Sequence, residues 1–195
     1  GTEHAESPRL ERQPLSDRKP TETPFVDAMA LIRDRAAARM EDGTVVGDRA
    51  RTERTLALLD SALATELLCT LRYHAHAHRV KGPSVDTVRA ETTEHAQEEM
   101  RHALRVAERI AQLGGTPDFN PRTLSARAHA SYGEGTTMGD LIQEDLVAER
   151  MAIQIYRAMI KDIGDDDPTT RRLLEALLAD EEEHADDLAD LLGDP

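Results

Sequence analysis

The sequence contains no tryptophan and few aromatic side chains of any kind, with three Tyr and two Phe in 195 residues. A core built from such a chain has to consist of Leu, Ala, Ile, Val and Met, a mixture that favours helices over sheet. Cysteine is nearly absent as well. With Cys69 alone no intrachain disulfide can form, which fits a reducing compartment, and a cytoplasmic location is expected. No apolar run approaches the ~18 residues that a membrane-spanning helix needs, and the first residues lack the apolar centre of a secretory signal. Cations are scarce relative to acids, 24 Lys and Arg against 38 Asp and Glu, for a formal net charge of −14. A surface of that sign repels nucleic-acid phosphate and attracts cations.

What is present is helical periodicity, punctuated by proline and glycine. Residues 1–23 carry Pro8, Pro14 and Pro20 among mixed charges, with Leu10 and Leu15 as the large apolar residues. They bury too little to offset the entropy of ordering, so a flexible tail is expected, and its near-neutral balance argues against DNA binding. Pro24 then opens a short amphipathic helix over 24–43, with Phe25, Met29, Ile32, Ala36 and Met40 at helical spacing. A bundle is expected over 48–195. Its four long helices span about 48–80, 84–113, 137–163 and 168–193, with Ser84 and Asp167 as caps and Thr137 with Asp140 close to a capping box. The first two are joined by the short stop Lys81-Gly82-Pro83, the last two by a tight turn. The middle connection, over 114–137, is long.

Glu99-Met100-Arg101-His102 and Glu181-Glu182-Glu183-His184 place the same Glu-x-x-His spacing near the middle of the second and fourth helices. Residues three apart on a helix share a face, so each pair can grip one metal ion. One helix earlier in each case stands a glutamate in an apolar setting, Glu66 after Leu63-Ala64-Thr65 and Glu149 after Leu146-Val147-Ala148. Four carboxylates buried in a helical core would cost several kcal/mol each without compensation. Two divalent ions balance their charge, and carboxylate with imidazole suits iron or manganese better than structural zinc, while a crystal could hold Mn or Zn in their place. The bland alternative is a metal-free bundle with these six residues in surface ion pairs. Their apolar flanks argue against it.

At these residues the sequence resembles bacterioferritin. Glu98-Glu99-Met100-Arg101-His102-Ala103, Glu108-Arg109-Ile110 and Leu113-Gly114-Gly115-Thr116-Pro117 resemble the motif of its second helix. Asp145-Leu146-Val147-Ala148-Glu149, Asp180-Glu181-Glu182-Glu183-His184, and Glu66 with Tyr73 seven residues on resemble its third, fourth and first, and the likeness covers about residues 50–192. The resemblance implies an all-α, ferritin-like up-down four-helix bundle with a long crossover between the second and third helices. It implies a ferroxidase that oxidises two Fe(II) per subunit with O2 or peroxide, for iron storage or detoxification. Glu99 and Glu181 would bridge the two irons, Glu66 and Glu149 would be terminal ligands, and His102 and His184 would serve one iron each. The chain departs from the family in its short segment after His184, its N-terminal extension and its long crossover. A closed homo-oligomer of dimers is therefore expected, with twelve subunits favoured over twenty-four.

Other residues carry weaker signals. Tyr73 shares the ligand face of its helix and is expected to hydrogen-bond the site or donate an electron, or to be a core Tyr. Met100 points away from the metals. The family's matching Met ligates haem, which raises haem b here, while the residue alone reads as a gap-filler at a dimer contact. Asp145 is a candidate to hold a ligand-histidine tautomer, and Glu94 a candidate for an auxiliary iron site. His74 and His78 read as surface residues, and Asp186, Asp187, Asp190 and Asp194 as a solvated acidic helix end. The outward apolar residues Leu58, Leu68, Met100 and Val106 argue for at least a dimer. Two other functions compete. One is a di-metal peroxidase or catalase of the rubrerythrin or manganese catalase type, for which Cys69 cannot supply a rubredoxin module. The other is a DNA-protecting or cargo protein, for which the N-terminal tail is the supporting feature.

Overall fold

The computed structural model describes residues 25–38, 48–133 and 135–193. Six helices make up its regular structure: α1 (Phe25–Ala38), α2 (Arg49–Arg79), α3 (Val85–Gln112), α4 (Leu124–Arg127), α5 (Met138–Ile163) and α6 (Pro168–Gly193). The chain divides into two compact units, residues 1–41 and 42–195. α1 belongs to the first. The tail expected over 1–23 and residues 39–43 of the expected N-terminal helix lie outside the described residues.

The ends of the long helices follow from local chemistry. Asp48 caps α2, accepting from the Arg51 N–H at 3.2 Å. α3 closes with paired bonds, Gly115 N–H to the Ile110 carbonyl at 2.9 Å and Gly114 N–H to that of Ala111 at 3.0 Å, an arrangement that needs the left-handed φ of +81° at Gly114. A β-carbon on Gly115 would stand 2.7 Å from Leu56 Cδ2, so α2 packs directly on this turn. Thr137 and Asp140 form a full capping box at the start of α5. Asp167 caps α6, accepting from the Thr170 N–H at 2.9 Å, with Pro168 at the first helical position. The expected cap at Ser84 does not form. Ser84 is itself left-handed at φ 60°, not in the extended conformation of a capping residue, and its side chain makes no cap bond.

α2 packs on α3 and α5 on α6, and the pairs meet through α2 with α5 and α3 with α6. Cross-bundle bonds run from Tyr73 to Glu149 and from Tyr156 to Glu66, so α2 and α5 are antiparallel. α3 is antiparallel to α2 across their short turn and hence parallel to α5. A parallel neighbour cannot be reached by a tight turn. The connection over 113–137 therefore has to cross the ~39 Å length of a 26-residue helix. Within it lies α4, which is docked on α2: Ser61 Oγ donates to the Arg127 carbonyl at 2.9 Å, and Arg127 pairs with Asp60 at 2.9 Å.

Two apolar clusters fill the bundle. Leu59, Leu63, Val106, Ile110, Leu174 and Leu177 belong to one; Cys69, Val88, Ala96, Leu141, Ile142 and Leu188 to the other. Leu68 and Val106, expected on the outside, are both buried. α4 covers Leu68 with Leu124, and Val106 lies fully inside the first cluster. The outward apolar residues of α2 and α3 are Leu71, Met100 and Leu104. Between the clusters, at mid-height in all four long helices, lies a polar layer.

Candidate metal centre

The polar layer holds Glu66 from α2, Glu99 and His102 from α3, Glu149 from α5, and Glu181 and His184 from α6, none more than 3% exposed. Glu66, Glu99, His102 and Glu181 each bring one donor atom within 4.8 Å of the others, and so do Glu99, Glu149, Glu181 and His184. Glu99 and Glu181 belong to both groups, and the other four residues to one each. His102 Nδ1 lies 3.4 Å from Glu66 Oε2 and 3.3 Å from Glu181 Oε1. On the other side, His184 Nδ1 lies 3.2 Å from Glu99 Oε1 and 3.3 Å from Glu181 Oε2.

The outer nitrogen of each histidine explains why the inner one is available. His102 Nε2 meets Asp180 Oδ2 at 3.0 Å, and His184 Nε2 meets Glu98 Oε2 at 2.8 Å. An ionised carboxylate only accepts, so each Nε2 carries the proton and donates it, leaving the Nδ1 lone pair facing inward. The arrangement is reciprocal. The acid just before each Glu-x-x-His motif fixes the histidine of the other motif. The expected tautomer-holder, Asp145, does something else: it pairs with Arg72 at 2.9 Å and with His76 at 2.8 Å, all three fully or nearly fully buried. It sits one turn from Glu149 on the side facing α2, and its bonds go to Arg72 and His76 there.

Glu66 and Glu149 are held by a second reciprocal pair. The Tyr73 hydroxyl donates to Glu149, and the Tyr156 hydroxyl to Glu66. Tyr73 therefore bonds the layer directly, as one of its sequence readings has it, while Tyr156 is absent from the sequence-level candidates. Its signal is the spacing Glu149-x6-Tyr156, which repeats that of Glu66 and Tyr73.

The electrostatics ask for positive charge. Burial, and then the charges of Glu181, Glu66 and Glu149, hold the Glu99 carboxyl well above its usual range. Burial together with Glu66 and Glu149 does the same to Glu181. Glu66 goes the other way. Burial would raise it, but its neighbours Glu99, His102 and Tyr156 hold it down. Around the middle of the layer, Glu66 Oε2, Glu99 Oε1, both Glu181 oxygens and the Nδ1 atoms of His102 and His184 are buried with no hydrogen-bond partner. Unpartnered buried polar atoms are costly, and here they converge from three helices, α2, α3 and α6, with the donor chemistry of an O- and N-ligated cation pair. The donor set fits two divalent ions.

The remaining sequence candidates lie away from the layer. Met100 is on the outer side of α3, 37% exposed, and Glu94, His74 and His78 are exposed. Asp187 is not simply part of a solvated helix end: its carboxylate faces the buried His95. Among the described residues no helix is long and apolar enough to cross a membrane.

Known proteins resemble this chain in sequence and fold. A family model described as the ferritin-like domain matches residues 56–195. A bacterioferritin of Mycobacterium tuberculosis is 30% identical over 146 residues, spanning 71% of this chain and 87% of the relative. A solved dodecameric thioferritin, the bacterioferritin-related protein of Bacteroides fragilis, superposes with a TM-score of 0.71 at 28% identity, over 87% of this chain and 94% of that one. A Dps protein of Vibrio cholerae, described as one of the ferritin-like diiron-carboxylate proteins, has the same fold at a TM-score of 0.72 and 15% identity, over 77% of this chain and 97% of its own.

Proposed function

Because the chain belongs to the ferritin-like family, we propose that it is a ferroxidase whose buried layer takes up two Fe(II) ions as substrate. One ion sits among Glu66, Glu99, His102 and Glu181, the other among Glu99, Glu149, Glu181 and His184. Each Fe(II) gives up one electron. Dioxygen takes the two electrons with two protons and leaves as hydrogen peroxide, or peroxide takes two electrons and two protons and leaves as two waters. The residues of this chain bind and orient. Glu66 and Glu149 are aimed by Tyr156 and Tyr73, and His102 and His184 by Asp180 and Glu98. The apolar clusters above and below keep bulk water from the layer.

The observation that supports this reading most is the convergence of unpartnered donors from three helices, joined by Glu149 from the fourth, on one buried space. Charge adds to it, since four carboxylates and two neutral imidazoles match two divalent ions in number and in hardness. Glu99 belongs to both groups, so Glu99→Ala is the discriminating variant. It should fold, because it removes one of several mutually repelling acids, and it should lose the fast phase of Fe(II) oxidation followed by absorbance. Fast oxidation at the wild-type rate in that variant overturns the assignment.

The same reading includes a homo-oligomer built from dimers. Leu71, Leu104 and Met100 leave apolar surface on α2 and α3, and a related chain of known structure forms a dodecamer. Light scattering on the purified protein should give a closed assembly of dimers, and a monomeric mass at micromolar concentration rules it out.

A further inference from the structure

One turn along the bundle from the two Glu-x-x-His motifs, α3 and α6 bring together three side chains that the ferroxidase reading leaves unused. Glu91 and His95 stand four apart on α3. Asp187 stands three residues beyond His184 on α6. His95 Nε2 lies 3.4 Å from Glu91 Oε1 and 3.4 Å from Asp187 Oδ2. Donor atoms from all three fall within 4.8 Å of one another.

Two features separate this group from an ordinary acidic helix surface. The first is that His95 is built in. It is 1% exposed, its ring stacks on that of His184 with centroids 4.2 Å apart, and it meets Tyr73 edge-on at 5.3 Å. A histidine pinned between two aromatic neighbours presents Nε2 to the carboxylates in a fixed direction. The second is that the two acids are forced together without a cation. Burial, and then Asp187 and Glu94, raise the Glu91 carboxyl, and among the described residues neither Glu91 nor Asp187 pairs with a Lys or Arg.

We propose that Glu91, His95 and Asp187 form a third divalent-metal site, at the solvent-reachable edge of the α3–α6 seam and separate from the buried layer. Metal–ligand bonds of about 2.0–2.2 Å let one ion span donors up to about 4 Å apart, which the 3.4 Å separations satisfy. Two carboxylate oxygens and one imidazole nitrogen, with no thiolate, select a first-row divalent ion such as Mn(II), Fe(II) or Zn(II). The carboxylate side chains of Glu91 and Asp187 are 30% and 43% exposed, so water completes the coordination and an ion enters from solvent. The stacked rings make His184 the shared wall between this site and the layer.

The test uses crystals of the intact chain soaked in Zn(II), with anomalous scattering at the zinc edge, and calorimetric Zn(II) titration in solution. An anomalous peak bounded by Glu91, His95 and Asp187 is expected, and the double variant Glu91→Gln/Asp187→Asn should lose that peak and one equivalent of Zn(II) per chain. Both substitutions are isosteric and at partly exposed positions, and the wild-type map requires no variant at all. No density at this position in the wild type overturns the proposal, whether or not the buried layer is filled. So does a peak that persists undiminished in the double variant. Failure of the ferroxidase reading is read separately, from density at Glu66, Glu99, Glu149 and Glu181 and from the Fe(II) kinetics of Glu99→Ala.

Discussion

The hydroxyl of Tyr73 on α2 donates to the carboxylate of Glu149 on α5, and seven residues along each helix Tyr156 returns the same bond to Glu66. Antiparallel helices with equal Glu-to-Tyr spacing produce this crossing: each tyrosine reaches the glutamate opposite its own. Partners of this kind set the orientation of a metal ligand, and losing one costs ~10–100-fold in metal affinity. Tyr73→Phe should weaken binding on the Glu149–His184 side by that factor and Tyr156→Phe on the Glu66–His102 side, with the fold intact by circular dichroism. Titration calorimetry with Zn(II) checks this. Equal affinity at both positions in both variants would assign the tyrosines to packing alone.

Asp180 and Glu98 act on the other two ligands. Asp180→Ala takes the acceptor away from His102 Nε2, so the imidazole proton is free to move to Nδ1 and block the inward lone pair. A drop in metal affinity of ~10–100-fold is expected. Asp180 also lies 3.8 Å from Arg105 in a half-exposed contact worth little, so thermal stability should change by less than about 1 kcal/mol. A variant that unfolds more easily but binds metal normally would refute the tautomer role.

Asp145 carries stability and not ligation. Arg72 and Asp145 are both almost completely buried, and the arginine also donates to the Ser131 carbonyl at 3.0 Å, which ties the crossover to α2. Removing one partner of a buried pair strands the other charge, a loss of about 3–5 kcal/mol. Asp145→Ala should lower the denaturant midpoint accordingly. The double variant Arg72→Leu/Asp145→Leu should recover much of the loss, because both charges are then gone.

The cap at Asp167 sets a pH dependence. Burial alone would raise its carboxyl, but bonds from the Thr170 hydroxyl and amide and from Arg109 hold it below the ordinary value of 3.8. A depressed carboxyl stabilises the folded state at pH above its unfolded value and loses that contribution as pH falls through the folded one. Asp167→Ala should therefore cost about 0.5–2 kcal/mol at neutral pH. The gap to wild type should narrow as pH drops below 3.8. A gap that stays constant down to acid pH would show that the carboxylate charge is irrelevant to the cap.

The helices and their order are legible in the sequence because 3.6-residue periodicity and the Pro, Gly and Asp stops are local features. The residues of the layer are legible for a related reason. Glu-x-x-His needs a single helix face to make sense, and the apolar neighbours of Glu66 and Glu149 mark both as inward. Less visible were residues whose meaning depends on the facing helix. Glu98 and Asp180 look like solvated acids beside a motif until α3 and α6 are set antiparallel, when each meets the opposite histidine. From its position one turn before Glu149, Asp145 reads as a tautomer-holder, yet direction on one helix does not say which neighbour lies across from it. Leu68 reads as outward because nothing local says that α4 will lie over it.

What the sequence alone determined is which residues face inward on each helix, since side-chain direction is a property of the helix repeat and the boundaries are written in caps and turns. Only the tertiary structure decided the pairings: Tyr73 with Glu149, Asp180 with His102, Asp145 with Arg72 and His76, and Asp187 with His95. Those depend on the axial register between antiparallel helices. Register is set by the combined packing of two apolar clusters and a crossover, and no window of one helix contains it.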